Sequence, residues 1–482
     1  MLGRARSIRN CLRIKTKRDL KMAESPLAIC AFVALVLVQG VVRAEDLVDI
    51  YRLALAEDPQ FKQVGSAQHA LQESRKQARS RLLLPTLNFE ANVSKNYQDI
   101  TITQTQFAGQ EGSQNFRSHF YQLNLTQPLF HYERYVALKQ ADKRVRQSTL
   151  EVDAAHQDLI IRVAENYIAV LAAEDNLVFS RAETAALKRQ LEQSNERFEV
   201  GLIAITDVQE AQAGYDLARA DEIQARNGLD NALEALREIT SAYHRELAGL
   251  GDQMPLIRPD PPEIDRWAHR ARGQNLRLSA AKIALDLAKA EIRRESSGHL
   301  PTLDLVSTYG EDESGGRFGQ TSINATTIGV QVSVPLFEGG QVTSRTREAV
   351  YRYQEAAERF EQQRRAVERQ SRDAFLGVLS GISRVQALKQ ALASTETAAE
   401  ATQAGYSVGT RTAVDVVNSE RDLLRARRDY SQTRYDYMLN GLRLKHAAGT
   451  LSPEDVALVN GWFTNEAEGR GATIMNFEQE DE

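Results

Sequence analysis

The chain has 482 residues but only two cysteines, Cys11 and Cys30. Both fall in a leader-like segment, so the remainder carries no thiol, and disulfide scaffolds and cysteine-ligated metal sites are excluded. Proline is scarce too, at 11 residues. Together with long stretches rich in Ala, Glu, Gln, Arg and Leu, this favours extended helices over a loop-rich enzyme. Beyond the leader no stretch approaches 18 consecutive apolar residues, which excludes a membrane-spanning helix and leaves strands as the only route into a bilayer. The eight histidines show no i,i+4 pairing, and there is no Walker loop, dinucleotide fingerprint or nucleophile elbow. We therefore expect no catalysis, no cofactor and no metal site.

What is present begins with an export signal. Arg4, Arg6, Arg9, Arg13, Lys15, Lys17, Arg18 and Lys21 precede an apolar run from Leu27 to Val42, and Val42-Arg43-Ala44 places small residues at a cleavage site. The run is 16 residues long and contains Gln39 and Gly40, which is short for a bilayer anchor. Bulky Ile29 before Cys30 argues against lipidation. Cleavage after Ala44 removes nine basic and two acidic residues, leaving 51 Lys+Arg against 63 Asp+Glu, a net charge of −12. So acidic a chain is a poor nucleic-acid binder.

The remainder is a tandem duplication. Leu84-Pro85-Thr86-Leu87 recurs as Leu300-Pro301-Thr302-Leu303, Pro128-Leu129-Phe130 as Pro335-Leu336-Phe337, and Val200-Gly201 with Asp207-Val208 as Val408-Gly409 with Asp415-Val416. The offsets are 216, 207 and 208, because the segment between the two proline markers is nine residues longer in the first copy. A Gly/Pro-rich stretch, Gly249 to Pro262, joins the copies.

Each copy holds two segments of strict period-2 alternation. Leu87, Phe89, Ala91 and Val93 alternate with Asn88, Glu90, Asn92 and Ser94, and Tyr121, Leu123 and Leu125 with Gln122, Asn124 and Thr126. In the second copy Leu303 and Leu305 alternate with Thr302 and Asp304, and Ile328, Val330, Val332 and Val334 with Thr327, Gly329, Gln331 and Ser333. Strands of about 10 residues with one apolar and one polar face suit lipid outside and water inside. An ordinary half-buried sheet has the same pattern; export to a compartment bordering an outer membrane favours the barrel. Four strands cannot close one. Two copies would give eight strands with a filled interior and three would give twelve, so a passage requires a homotrimer.

The rest reads as helix. About 70 residues from Pro128 to Gly201 lack further proline and glycine, which as helix would extend about 100 Å. A seven-residue stripe through Val163, Val170, Leu177, Thr184, Leu191 and Phe198 predicts left-handed supercoiling. After Gly201 the chain reverses into a second helix ending near Tyr243, and the second copy repeats this around Gly409.

Three runs carry a family resemblance: Arg197 to Gln209 (RFEVGLIAITDVQ), Ala225 to Ala232 (ARNGLDNA) and Ala404 to Thr412 (AGYSVGTRT). With the repeated Leu-Pro-Thr-Leu strand starts and Pro335-Leu336-Phe337-Glu338-Gly339-Gly340, they resemble the TolC family of outer membrane efflux proteins from Glu45 to about Val459. The resemblance implies an α+β membrane protein: a homotrimer with a twelve-stranded transmembrane β-barrel in the outer membrane, four strands per chain, continued by a twelve-helix periplasmic coiled-coil tunnel. It implies docking to an inner-membrane efflux pump or ABC transporter through a periplasmic adaptor, for multidrug efflux and type I protein secretion. It also implies a gate at the tunnel entrance, where Asp207 and Thr206 on the first hairpin receive links from Arg411 and Tyr406 on the second. Just beyond lies an acidic constriction, whose first position matches Asp415 while the second falls on Asn418, a departure that puts cation selectivity in question.

We thus expect a signal peptide over 1–44, a periplasmic helix over 45–84, a β-hairpin over 85–130 and a long helix hairpin over 131–248. In the second copy a linker and first helix over 249–300 precede a β-hairpin over 301–337, a gate-bearing helix hairpin over 338–462 and an acidic tail over 463–482. Two other readings stay open at this point. A periplasmic adaptor shares long helix hairpins but needs no period-2 strands, and a structural coiled coil would continue its heptads without the Leu-Pro-Thr-Leu interruptions.

Overall fold

The computed structural model describes residues 44–101, 112–244, 246–251, 254–315 and 319–464. The expected leader before Ala44 and most of the expected tail lie outside them.

The first helical segment is two helices, α1 (Leu47–Glu57) and α2 (Pro59–Leu83), rather than the single one expected. Pro59 has no amide proton to continue a ladder and suits a helix start. Asp58 caps α2, accepting from the Phe61 N–H at 2.8 Å. The same carboxylate, only 2% exposed, takes both arms of the Arg162 guanidinium at 3.1 and 2.7 Å.

The strands β1 (Thr86–Ile100), β2 (Gly112–Phe130), β4 (Thr302–Ser314) and β5 (Thr321–Ser333) form one antiparallel sheet in the order β1-β2-β4-β5. Register brings the alternation of both copies onto common faces, because residues directly opposite share a side. Leu87, Phe89 and Ala91 stand opposite Leu125, Leu123 and Tyr121, Leu123 is also opposite Tyr309, and Leu303 and Leu305 face Val332 and Val330. On the other side Asn88 meets Asn124, Glu90 meets Gln122 and Asp304 meets Gln331. The register shifts between Pro128 and Phe130, where the proline has no N–H to give the ladder. The strands run 13 to 19 residues instead of about 10. Backbone pairing continues past the apolar band, where the once-apolar side carries Lys95, Arg117, His119, Glu311 and Glu313. Among the described residues, strands β1 and β5 are edges with no further neighbour.

Below the sheet stand two helices of similar length, α3 (Tyr132–Glu199), with 68 residues, and α7 (Gln341–Ser407), with 67. Each reaches about 100 Å. Shorter helices line them: α2 and α4 (Ile205–Thr240) along α3, and α5 (Ile264–Gln274), α6 (Leu276–Ser296) and α8 (Ala413–Ala448) along α7. The α4 helix stops at Thr240, because Ser241 adopts a left-handed conformation at φ 56°. The heptad stripe is buried at Val163, Val170, Leu177, Thr184 and Leu191, whereas Phe198 is 40% exposed; the partner helix has run out at the tip. No described helix is long and apolar enough to cross a membrane.

A small belt closes the middle. Strand β3 (Gly249–Leu250) pairs with β6 (Phe463–Thr464), and α9 (Pro453–Asn460) packs on α1. Phe463 and Thr464 therefore belong to the fold, not to the tail assigned from 463. Their short ladder with the inter-copy linker is invisible to a search for periodicity.

Candidate functional site at the helix tips

At the far end from the sheet the two copies make the same turn. Gly201 and Gly409 take φ of 76° and 79°, a region in which a side chain is strained. Each ends its helix with paired bonds to the carbonyls behind it. Gly201 and Leu202 donate to Phe198 and Arg197 at 2.9 Å, and Gly409 and Thr410 donate to Tyr406 and Gly405 at 3.0 and 2.8 Å.

The next helices open differently. At the start of α8 Thr412 and Asp415 form a reciprocal cap: the Asp415 carboxylate accepts from the Thr412 amide and hydroxyl, both at 2.9 Å, and the Asp415 amide donates to the hydroxyl at 3.2 Å. The Thr412 amide and then its hydroxyl hold the Asp415 carboxyl below its ordinary value, with a further contribution from the charge of Arg411. In the first copy the corresponding cap is Ala204, which has no side-chain acceptor. Asp207 takes one backbone bond, from Ala204 N–H at 3.3 Å, and keeps acceptor capacity to spare. Asp207 and Thr206 are exposed, as are Arg411 and Asn418.

The protomer brings some of the expected residues together and leaves others apart. Among the described residues no ion pair joins Arg411 to Asp207. Tyr406 instead accepts from Gln193 Nε2 at 2.8 Å. Arg411 lies against Gly405: its amide donates to the Gly405 carbonyl at 3.3 Å, and a methyl group added at Gly405 would come within 2.8 Å of its Cγ. Gly405, Thr412 and Gln193 are thus parts of the site that the sequence reading passed over. Gly405 and Thr412 stood in a quoted motif, but nothing in the pattern marked Gln193.

Above the tips the two copies meet along a seam of polar pairs between α3 and α8, with Val417 of the second copy sharing a buried apolar cluster with Leu187 and Ala218 of the first. Glu183 pairs with Arg421 at 2.7 Å, Arg189 with Glu420 at 4.0 Å, Asp175 with Tyr435 at 2.8 Å and Glu165 with Arg443 at 2.7 Å. Burial pushes the Glu420 carboxyl up, which Arg189 offsets only in part. Within the first copy the contact is apolar, with Leu191 packed on Val208 and Ala211.

The chain matches the family described as "Outer membrane efflux protein" over residues 50–242 and again over 267–450, once in each copy. It belongs to the outer membrane efflux protein family. Among relatives of this efflux-protein chain, the "Outer membrane protein TolC" of Vibrio cholerae serotype O1 is 39% identical over 440 residues, 90% of this chain and 97% of the relative. The "Alkaline protease secretion protein AprF" of Pseudomonas aeruginosa is 30% identical, covering 87% of each. The solved CmeC outer membrane channel of Campylobacter jejuni superposes with a TM-score of 0.72 at 16% identity, over 87% of this chain and 90% of that one; at that identity the likeness establishes the fold.

Proposed function

We propose that the chain is the exit duct of an export machine. Three copies close a twelve-stranded barrel in the outer membrane, and their helices form one periplasmic tunnel gated at its tips. The observation that carries this is the single four-stranded sheet with one apolar face and two open edges, standing on helices about 100 Å long. Twelve strands leave room for a passage where eight do not. Similarity to TolC and AprF supports service in efflux and protein secretion, with an inner-membrane pump or ABC transporter joined through a periplasmic adaptor. The duct is passive and performs no catalysis. Single-channel recording of purified protein in a planar bilayer tests the reading: a steady, small conductance is expected, and protein that assembles but never conducts would overturn it.

Two variant pairs test the barrel. Phe89→Arg and Val332→Arg place charge on the apolar face, where the midplane cost is about 2–4 kcal/mol per chain. Asn88→Arg and Gln331→Arg place it towards water. Heat-resistant trimers on gels should be lost in the first pair and retained in the second; equal yields would show that the faces are misassigned.

At the entrance, three Asp415 carboxylates around one axis raise the local cation concentration, over a range that salt limits to about 8–10 Å. Multivalent cations added on the periplasmic side should block current. Asp415→Asn should relieve the block while keeping a side-chain oxygen for the helix cap. Persistence of the block in that variant would remove Asp415 from the constriction. With Asn418 one turn on, the ring holds three carboxylates instead of six, and the block should be correspondingly weak.

A further inference from the structure

The apolar face of the sheet ends along a slanting line. Its last apolar or aromatic side chains, going away from the helices, are Val93 on β1, Tyr121 on β2, Tyr309 on β4 and Ile328 on β5. Register sets each one pleat lower than the one before, since Val93 is opposite His119, Tyr121 opposite Ala91, Tyr309 opposite Leu123 and Ile328 opposite Ser307. Strands that tilt across a bilayer need such a slant to keep one hydrocarbon edge level. Lys95 is the next position of this face beyond Val93, about 7 Å further along the strand, and Arg117 stands directly opposite Lys95. Both are exposed. Side chains so placed start about 4.5–5.5 Å apart, and like charges there repel. Among the described residues neither cation is paired with a carboxylate. The acidic groups of β4 on this face are engaged otherwise: Glu313 with His119 at 3.3 Å, and Glu311 by the Tyr121 hydroxyl and by Ser322 Oγ at 2.9 Å. Asp99 stands two outward positions beyond Lys95, opposite Ser113, about 13 Å away along the strand.

We propose that Lys95 and Arg117 bind the phosphate of an outer-leaflet lipid whose acyl chains lie along the apolar side chains beneath them. The proposal rests on the barrel reading, which puts the end of the sheet away from the helices in the outer leaflet. Position fits a headgroup, because the polar layer on each side of the hydrocarbon is about 5–7 Å deep and Lys95 is one pleat past the apolar edge. Charge fits as well. A phosphate between the two side chains turns their repulsion into attraction, with the planar guanidinium taking two oxygens and the ammonium another. Ring closure does not remove the need for an anion, since β5 of the next copy would then flank β1, and β5 carries no charge. Val93, Ala91, Phe89 and Leu123 continue the site downwards, offering a lipid an apolar surface from which free phosphate gains nothing.

Native mass spectrometry of the full-length protein in a non-ionic detergent counts bound lipid directly. Dioleoyl phosphatidic acid should bind at about one per chain, and at least about tenfold more tightly than dioleoylglycerol, which has the same chains and no phosphate. Inorganic phosphate at the lipid's concentration should not compete. The double variant Lys95→Gln with Arg117→Gln should weaken phosphatidic acid about tenfold and leave dioleoylglycerol as it was. Equal binding of the two lipids by wild type would overturn the proposal, and so would undiminished binding of phosphatidic acid by the double variant. Competition by inorganic phosphate would show a site for the free anion and overturn the lipid assignment. Should the double variant fail to assemble, Lys95→Gln alone decides, with a loss of about threefold expected. Failure of the barrel reading shows separately, as absence of the trimer mass from wild type, whereas trimers indifferent to the phosphate overturn the lipid site alone.

Discussion

Replacing Arg411 by serine should raise the open population of the purified channel at least about tenfold while leaving trimer assembly intact. Symmetry sets the size of the effect: in the proposed latch each link from Arg411 to Asp207 or Thr206 occurs three times, and all three must break for the entrance to widen. Fully exposed pairs of about 0.5 kcal/mol would total about 1.5 kcal/mol, which is about tenfold in an equilibrium. Charge-assisted bonds shielded from water contribute about 1.5–3 kcal/mol each, about 4.5–9 kcal/mol in all, enough to move a gate from almost always open to almost always closed. The protomer leaves the proposed latch partners Asp207 and Arg411 exposed at the tips. Asp207 has unused acceptor capacity, Arg411 has its stem laid on Gly405, and within the described residues of one chain the two do not pair. Salt separates the two regimes: an exposed latch loosens as ionic strength rises, whereas a shielded one hardly responds. If Arg411→Ser trimers conduct no better than wild type at any salt concentration, closure lies elsewhere, in the apolar seam from Val163 to Leu191.

Asp58→Ala should be the most damaging single change in the belt, at about 3 kcal/mol. It leaves the Arg162 guanidinium, 27% exposed, without its bidentate partner, and it removes the cap of α2, for which about 1 kcal/mol is usual. Asp58→Asn keeps the cap oxygen and should lose less. The pH dependence has a definite sign. Burial raises the Asp58 carboxyl, but the bonds from Arg162 and from the Phe61 amide, with the Arg162 charge, outweigh it and leave the group below its ordinary value. A carboxylate depressed in the folded state stabilises above its unfolded pKa, near 4, and that contribution fades as pH falls through the lower folded value. The gap between wild type and Asp58→Ala in heat-resistant trimer should therefore be full at neutral pH and shrink below about pH 4. A gap unchanged at pH 3 would show that the damage is steric.

Much of this architecture is legible in the sequence because its periods are long and clean. Alternation at Leu87 to Ser94 fixes which side of β1 is apolar, and only that choice is consistent with the register observed across all four strands. The heptad stripe marked the buried face of α3 as far as Leu191. It failed at Phe198 because periodicity describes a helix face and is silent about where the facing helix ends. The break at Asp58-Pro59 was readable from capping chemistry but was masked by helical composition on both sides. The β3–β6 ladder joins two-residue strands more than 200 positions apart, too short to leave a pattern. At the tips, the family resemblance and not any period singled out the charged residues, while Gln193 and the seam between copies depend on how two copies pack, which no single-helix pattern encodes.

The open edges of the sheet have a kinetic consequence. Strand β5 offers 13 residues without a single charge, beside a face carrying Ile328, Val330 and Val332 at 60–73% exposure. Edges of that kind are templates for indiscriminate strand addition, and β1, with Glu90, Lys95 and Asp99, is only partly guarded. A solitary protomer in water is thus a hazardous species whose safe lifetime shortens as its concentration rises. Closure of the ring removes both edges of every subunit at once, so strand pairing between chains must outpace every competing encounter, and survival of the newly exported chain becomes a race decided before any substrate has passed.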